Sequence, residues 1–300
     1  MKKSYFPYLT ALLLFGSNGI VASHISLASD QIVWLRTLLG SALLLPLFLL
    51  TRHRFSFFRY RRDGLRICLS GMAMGVSWML LYAAYARVGV GIASLLYYCG
   101  PVIVMVLSPL LFQEKLTAGK LTGFAAVLCG VLLVNGQAAE KPNASGVLCG
   151  LLAAALYAFM VIINKKSRHI AGMENALLQL CVSFLTVSVC TGVKNGGFAM
   201  RIAPDEWIWI LILGFLNTGI GCYLYFASIG GLPVQTIAVC GYLEPLSAVV
   251  FSVLLLGESL LPGQVLGAAL IIGGAVWGEC AHRPRSRAAP EGRELSRHGR

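Results

Sequence analysis

Residues 98–123 read YCGPVIVMVLSPLLFQEKLTAGKLTG, and residues 242–267 read YLEPLSAVVFSVLLLGESLLPGQVLG. They belong to a longer gap-free match between residues 81–134 and 225–278, which lie 144 positions apart. Both copies are almost wholly apolar and long enough to cross a bilayer. The chain is therefore predicted to be an internally duplicated membrane protein, which is the usual build of a secondary transporter. Identical pairs include Tyr98/Tyr242, Pro101/Pro245, Ser108/Ser252, Glu114/Glu258 and Gly123/Gly267.

The composition excludes an ordinary water-soluble domain. Hydrophobic residues make up 57% and charged residues 12% of the 300 residues, and this charged fraction is about half that of soluble domains. The net charge of +12 comes from basic residues in predicted loops and the tail, so no nucleic-acid partner is expected. The nine cysteines show no CxxC pair and no metal-ligand spacing, and we predict no metal site and no cofactor.

Ten apolar segments are candidates for transmembrane helices, since a helix needs about 20 mostly apolar residues to cross the hydrocarbon core. The apolar runs are continuous and lack the alternation of barrel strands. The predicted fold is an all-α polytopic membrane protein with ten transmembrane helices, arranged as two inverted five-helix repeats. The predicted spans cover residues 6–26, 31–50, 65–86, 91–112, 118–136, 146–164, 174–193, 207–228, 232–256 and 263–281.

The distribution of basic residues predicts the orientation. With the N-terminus inside, 19 of the 24 lysines and arginines fall on the cytoplasmic side and four fall outside, as the positive-inside rule requires. We therefore predict a multi-pass plasma (inner) membrane protein with both termini in the cytoplasm. Because each half has an odd number of spans, the second half enters the membrane upside down. Glu114 is then predicted at the cytoplasmic surface and Glu258 at the outer surface.

Short motifs accompany the repeat: Phe15-Gly16-Ser17-Asn18 in span 1, Leu35-Arg36 in span 2, and the paired signatures Pro101…Leu111…Glu114…Gly123 and Glu244-Pro245…Leu256-Gly257-Glu258…Gly267. With them the chain resembles the EamA family of the drug/metabolite transporter (DMT) superfamily over residues 6–281. The resemblance implies a ten-helix inner-membrane carrier of small metabolites, commonly outward, by exchange or proton coupling. This chain departs from the family at Phe15, where Trp is frequent, and at Ser23, where Lys is frequent. The equivalent second-half position carries Lys165.

The repeats and the composition divide the chain into four parts. Residues 1–136 are predicted to form the first EamA-type five-helix repeat, and residues 146–281 the second. Residues 137–145 are a polar linker. Residues 282–300 are rich in Arg, Ser, Pro and Gly with almost no large apolar side chain, which predicts a disordered basic cytoplasmic tail.

Glu244 is the main candidate for a substrate-binding residue and for proton coupling. It lies midway along predicted span 9, where an ionised carboxylate costs about 2.5–3.5 kcal/mol on insertion scales. The adjacent Pro245 removes a backbone donor and can free a carbonyl toward a cavity. The carboxylate could bind a substrate amine or carry a proton. Alternatively, it is a structural glutamate hydrogen-bonded to neighbouring helix ends.

Other polar and aromatic residues complete the predicted pathway. Arg36, the only strong cation within a predicted span, could bind a substrate carboxylate, pair with an acid or snorkel to the interface. Trp78, Tyr82 and Tyr85 share one face of span 3. Such residues suit a small-molecule cavity, although aromatic residues at helical spacing can also simply pack. The remaining predicted pathway residues are Asn18, Tyr98, Asn217, Tyr225 and Tyr242.

Several repeated residues are predicted to be structural. Pro101 and Pro245 bend their helices, and Glu114 and Glu258 lie where carboxylates can cap helix N-termini. The glycines of spans 5 and 10 allow close helix approach, either to a neighbouring helix or between two molecules of a homodimer. These glycines are Gly119, Gly123 and Gly130, with Gly263, Gly267 and Gly274.

The sequence therefore favours a secondary carrier that exports amino acids, related small metabolites or drugs by alternating access. No GxxxxGK[ST] motif indicates drive by ATP. An importer or a lipid-linked sugar carrier of the same fold is the alternative within transport. A polytopic membrane enzyme is disfavoured because the sequence has no HExxH, GxSxG or paired membrane carboxylates. A passive channel is a further alternative. The expected partners are a small-molecule substrate and membrane lipid.

Overall fold

The computed structural model describes residues 2–51, 55–135, 143–195, 197, 200–256 and 262–280. Throughout this part of the chain the regular structure is helical, without a β-strand. Seven of the described segments are long and apolar enough to cross a membrane, and shorter apolar helices accompany them. The fold class predicted from the sequence is confirmed. Glu258, most of the predicted linker and the predicted tail lie outside the described residues.

The helices follow the predicted spans closely. In the first half, span 1 comprises Lys2–Gly16 and Asn18–Ser23, and span 2 is Ser29–Leu50. The long helix Arg61–Tyr97 contains span 3 and the start of span 4, and Cys99–Phe112 completes span 4. Span 5 is Ala118–Asn135. In the second half, span 6 is Ala144–Lys166 and span 7 is Gly172–Asn195. Span 8 consists of four consecutive helical segments, which are Pro204–Glu206, Trp207–Leu211, Ile212–Ile220 and Gly221–Ile229. Span 9 comprises Val234–Gly241 and Leu243–Leu256, and span 10 is Pro262–Cys280.

Spans 4 and 9 are broken at equivalent points. Their helices are interrupted at Tyr98 and Tyr242, which are repeat mates. Each interruption lies three residues before a proline of the repeated signature, Pro101 or Pro245. A proline ring clashes with the carbonyl four residues earlier in a helix, so the duplicated proline explains the duplicated break. Backbone groups released at such breaks are available to line a cavity.

The connection between spans 3 and 4 differs from the prediction. The predicted spans leave a short loop after residue 86, whereas the helix Arg61–Tyr97 continues through this region and changes direction at Gly89. Gly89 has φ +77°, a left-handed conformation that glycine adopts without steric cost. A single glycine therefore replaces the predicted loop.

The two halves interlock. Span 1 packs against spans 8 and 9 of the other half, and span 6 packs in the equivalent way against spans 3 and 4. The repeat mates span 2 and span 7 contact each other, as do the repeat mates span 5 and span 10. Each half is therefore completed by helices of the other, and the centre of the molecule lies between them.

Paired glycines bring spans 5 and 10 together. Gly123 faces Gly274, and Gly130 faces Gly267, so a Cβ added at Gly123 or at Gly130 would lie 2.5 Å from the carbonyl oxygen of its facing glycine. Because the later residue of one helix meets the earlier residue of the other, the two helices are antiparallel. The two glycine contacts are also copies of each other in the internal repeat, which is the pattern of an isologous two-fold interface. The glycines thus join the two inverted halves, while the homodimer remains a prediction.

Adjacent glycines of span 10 provide a test of this interface. Gly274→Val should destabilise the protein because its Cβ would lie 2.5 Å from the Gly123 carbonyl oxygen, and overpacking costs about 1–3 kcal/mol. Gly273→Val is the matched control, since nothing lies within 4 Å of its Cβ. Thermal unfolding of both variants in detergent measures the difference. Equal melting temperatures would contradict the glycine interface.

Candidate functional site

Glu244 lies in the first turn of the helix Leu243–Leu256, directly after the break at Tyr242. A carboxylate is favourable at this point because a helix N-terminus carries a partial positive charge. The side chain is partly exposed although it is deep within span 9. Among the described residues, its carboxylate forms neither a hydrogen bond nor an ion pair. Its repeat mate is Gly100, so the first half places no acid at the equivalent position.

Electrostatic interactions connect Glu244 with both halves of the molecule. The carboxylate interacts with the guanidinium of Arg36 on span 2 without contacting it directly. Glu244 is also within electrostatic range of five tyrosines on spans 1, 3, 4 and 6, which are Tyr8, Tyr85, Tyr97, Tyr98 and Tyr157. The acid therefore lies in a region rich in aromatic residues, as small-molecule sites often are.

Arg36 is held inside the protein. It is 3% exposed, which excludes snorkelling to the interface. Nε donates a hydrogen bond to Thr218 Oγ1 at 2.9 Å, and an Nη1 group donates to the Tyr82 hydroxyl at 3.1 Å. The guanidinium lies 4.4 Å from the ring centre of Trp78, a favourable cation–π distance. In the part of the chain described, no carboxylate pairs with it, so a buried positive charge remains without a direct counter-ion.

Span 1 is broken at Ser17, where span 8 approaches it. The Asn217 amide nitrogen donates to Leu14 O at 3.2 Å, Ser17 Oγ at 2.9 Å and Asn18 Oδ1 at 3.0 Å. Asn217 itself belongs to a π-helical segment, Ile212–Ile220, and such segments are frequent at functional sites. Its Oδ1 is buried and accepts no hydrogen bond from the described residues. The amide therefore offers an unused acceptor.

Tyrosines from the two halves meet near the pseudo-two-fold axis. The Tyr242 hydroxyl donates to the Tyr98 carbonyl oxygen at 2.7 Å, and the two rings are 6.1 Å apart. The hydroxyls of Tyr157 and Tyr225 are 3.2 Å apart. Tyr225 also contacts the ring of Phe15 at 5.8 Å. Phe15 thus packs onto the predicted pathway.

The structure groups the predicted residues into neighbouring clusters. Arg36 contacts Trp78 and Tyr82, and Asn18 contacts Asn217. The site region also contains residues that were not predicted from the sequence, which are Tyr8, Tyr97, Tyr157 and Thr218. Tyr97 and Thr218 adjoin selected residues, whereas Tyr8 and Tyr157 lie outside the gap-free repeat and carried no such signal. No three His, Cys, Asp or Glu side chains gather as metal ligands within the described segments.

Glu114 caps a helix, but not the next one along the chain. Its carboxylate accepts hydrogen bonds from the amides of Val234 at 2.8 Å and Gln235 at 3.0 Å, at the start of span 9. The span 4–5 hairpin of the first half therefore holds the second half. Lys120 Nζ donates to Gln235 Oε1 at 2.7 Å, which adds a second connection between the same elements.

Lys165 stabilises the turn between spans 8 and 9 at its span 8 end. Its ammonium donates to the carbonyl oxygens of Ile229 at 2.9 Å and Gly230 at 3.0 Å, and to that of Leu232. A cation is favourable there because it meets the carbonyl groups at the C-terminus of span 8. We call Glu114, Lys120, Lys165 and Gln235 the span 8–9 clamp, since they fix the turn between spans 8 and 9.

The acid of the span 8–9 clamp is repeated in the other half, where Glu258 is the mate of Glu114. Its other polar groups within the gap-free repeat are not repeated, since Gly91 stands where the clamp has Gln235, and Gln264 where it has Lys120. The two halves therefore differ at this contact.

Loss of Lys165 should loosen the turn between spans 8 and 9. Lys165→Gln removes charge-assisted hydrogen bonds worth about 1.5–3 kcal/mol in general, so we expect a roughly tenfold or greater rise in the labelling rate of a cysteine at Gly241 from the face of the protein that carries this turn. A Cβ at Gly241 meets no atom closer than 3.9 Å. Lys115→Gln, at an exposed neighbouring lysine, is the control. Equal labelling rates in both variants would contradict a role for the clamp.

Comparison with known proteins identifies relatives along the whole chain. A sequence model of the EamA-like transporter family matches residues 2–136 and again residues 144–277. An uncharacterized transporter of Bacillus subtilis (strain 168), YxxF, is 24% identical over 290 residues, covering 95% of this chain and 92% of the relative. The threonine/homoserine exporter RhtA of Escherichia coli (strain K12) is 26% identical over 293 residues, covering 96% of this chain and 88% of the relative.

A further relative and a solved structure also match most of this chain. The threonine/homoserine exporter RhtA of Salmonella typhimurium (strain LT2) is 27% identical over 278 residues, covering 91% of this chain and 83% of the relative. A crystal structure with 17% sequence identity has a TM-score of 0.78 and covers 94% of this chain and 98% of the matched chain. This likeness shows that the fold is shared with an experimentally solved protein.

Proposed function

Because this chain belongs to the EamA-like transporter family, we propose that it is a secondary-active carrier that exports amino acids or related small metabolites by alternating access. The observation that carries the proposal is the pair of opposite charges at the centre. Glu244 and Arg36 interact electrostatically, yet among the described residues neither has a direct ion-pair partner. A zwitterion supplies an ammonium for the acid and a carboxylate for the base.

The surroundings suit a substrate of amino-acid size. Arginine binds carboxylates in a bidentate geometry, and Arg36 uses two of its N–H groups on Thr218 and Tyr82. Two of the relatives that cover most of this chain are threonine/homoserine exporters. Tyr98, Tyr225 and Tyr242 would then contact the side chain of the substrate, and Asn18 and Asn217 its polar groups.

Coupling is proposed to pass through Glu244. A carboxylate at this depth is costly when it is ionised and unpaired, so it would take up either a substrate ammonium or a proton. Competition between the two at one site yields proton-coupled export. If the carboxylate stays ionised throughout the cycle, substrate exchange is the result. We also propose that both termini are cytoplasmic, which the positive-inside distribution supports.

Counterflow in proteoliposomes tests the proposal. Vesicles loaded with unlabelled threonine, homoserine or another amino acid should accumulate the labelled compound, and the uptake should saturate. Flux from the cytoplasmic face that responds to an imposed proton gradient indicates coupled export. Failure of every amino acid, with uptake of lipid-linked sugars instead, would replace the proposal by the alternative carrier. Flux that rises linearly with substrate concentration would indicate a channel.

A further inference from the structure

A crevice of about 760 Å³ lies among the cytoplasmic ends of spans 3, 4, 6 and 8. It is separate from the central site around Glu244. One wall carries the basic residues that end span 6 and begin the following turn, and Arg66 of span 3 adds a further guanidinium. These basic lining residues are Arg66, Lys165, Lys166 and Arg168.

The crevice carries an excess of positive charge. Asp63 is the single acid among the described lining residues, and its carboxylate is already occupied. It accepts hydrogen bonds from the Arg66 guanidinium at 2.8 Å, from the Arg168 amide at 3.1 Å, and from the His169 amide at 3.0 Å, and it pairs with His169 Nδ1 at 2.7 Å. The ammonium of Lys166 and the guanidinium of Arg168 make no hydrogen bond within the described part of the chain. Both charges are available to a ligand.

Part of the crevice lining is apolar and exposed. Leu110 and Leu111, in the last turn of span 4, line the crevice and are 79% and 38% exposed. In a membrane-spanning helix such exposed leucines contact acyl chains. The crevice therefore places a basic surface beside the hydrocarbon region, on the side of the protein where the lysines and arginines concentrate.

We propose that this crevice binds the phosphate headgroup of an anionic phospholipid of the cytoplasmic leaflet. Lys166 and Arg168 contact the phosphate, and an acyl chain lies along Leu110. Basic pockets between transmembrane helices on the cytoplasmic side bind lipid headgroups in this way, and guanidinium groups bind phosphate with charge-assisted hydrogen bonds. The exposed leucines favour a lipid over a soluble phosphate, which gains nothing from an apolar wall.

The bound lipid also has a defined position relative to the span 8–9 clamp. Lys165 lines the crevice and holds the carbonyl oxygens at the end of span 8. A lipid in the crevice therefore sits against the turn that the clamp fixes. Binding is expected to raise the stability of the folded protein, because a ligand of the native state shifts the unfolding equilibrium.

Thermal unfolding in nanodiscs tests the proposal with a charge-matched pair of variants. The test variant is Lys166→Gln with Arg168→Gln, and the control is Arg61→Gln with Arg62→Gln, which removes two exposed charges outside the crevice. Adding phosphatidylglycerol to phosphatidylcholine discs should raise the melting temperature of the wild type and the control by about 3 °C or more. The test variant should show no such rise.

Each outcome is informative. An equal response of both double variants means a general surface attraction, and it overturns the proposal. Stabilisation of the wild type by inorganic phosphate in phosphatidylcholine discs, to the same extent as by phosphatidylglycerol, means a site for soluble anions and also overturns it. If the test variant fails to fold, Arg168→Gln alone is compared with Arg61→Gln, and a smaller response of the former supports the lipid site.

Discussion

Glu244→Gln is expected to abolish coupled transport while leaving the protein folded. The substitution keeps the size of the side chain and removes its charge, so a substrate ammonium loses a charge-assisted contact worth about 1.5–3 kcal/mol, or roughly 10- to 150-fold in affinity. A glutamine also carries no proton. Counterflow measures the loss of substrate binding, and proton-driven flux measures the loss of coupling. Both are measured on the same reconstituted protein.

The stability of Glu244→Gln separates a functional from a structural glutamate. In the described structure the carboxylate makes no hydrogen bond, so replacing an ion at membrane depth by a neutral amide should leave the melting temperature unchanged or raise it. Asp205→Asn, at an exposed acid near the start of span 8, is the control for expression and reconstitution. Normal transport by Glu244→Gln would contradict its role in the site. Loss of folding would indicate a structural role instead.

Arg36→Lys is expected to lose nearly as much substrate binding as Arg36→Gln. A lysine keeps the charge but lacks the planar guanidinium, which donates to Thr218 and Tyr82 while it stacks on Trp78. Arginine and lysine are therefore not interchangeable at this site. We expect at least a roughly tenfold rise in the half-saturating concentration for either variant, since one charge-assisted hydrogen bond is worth about 1.5–3 kcal/mol.

Tyr82→Phe is the matched variant for Arg36. It removes the hydroxyl that accepts the 3.1 Å hydrogen bond and leaves the ring in place, so it should have a smaller effect than either change of Arg36. Saturation curves of counterflow provide the comparison. Full activity of Arg36→Lys would show that the charge alone is required, and it would contradict a bidentate carboxylate site.

The fold was predictable because duplication leaves a direct record in the sequence. The gap-free repeat with its glycines at 123, 130, 267 and 274 contains the two-fold contact of spans 5 and 10. The paired prolines likewise mark the breaks at Tyr98 and Tyr242. In these places a local feature of the sequence determines the local structure.

Other features of the fold depend on contacts between distant segments. The break of span 1 at Ser17 is stabilised by Asn217, which is 200 residues away along the chain. The π-helical segment Ile212–Ile220 has an ordinary apolar sequence. Neither the break nor the π-helical segment is indicated by the sequence around it. Glycine is a suitable residue for the left-handed φ found at Gly89. The sequence alone, however, does not distinguish a kink in a helix from a short loop at this position.

The candidate site was predictable in its charges and less so in its contacts. Glu244 and Arg36 are identifiable from the sequence because charges inside spans are costly. The helix capped by Glu114 was not predictable, since the Val234 amide lies in the other half of the chain. Tyr157 was missed for the same reason, as its hydroxyl meets Tyr225 only after the halves have packed.

Accessibility of residue 98 tests alternating access most directly. Tyr98 is partly exposed and interacts electrostatically with Glu244. In a variant whose only cysteine is Tyr98→Cys, a membrane-impermeant thiol reagent should reach it from either side. Substrate should change the two labelling rates in opposite directions. Labelling from one side only, or rates from both sides that do not respond to any transported compound, would contradict a carrier whose central site opens alternately to the two sides of the membrane.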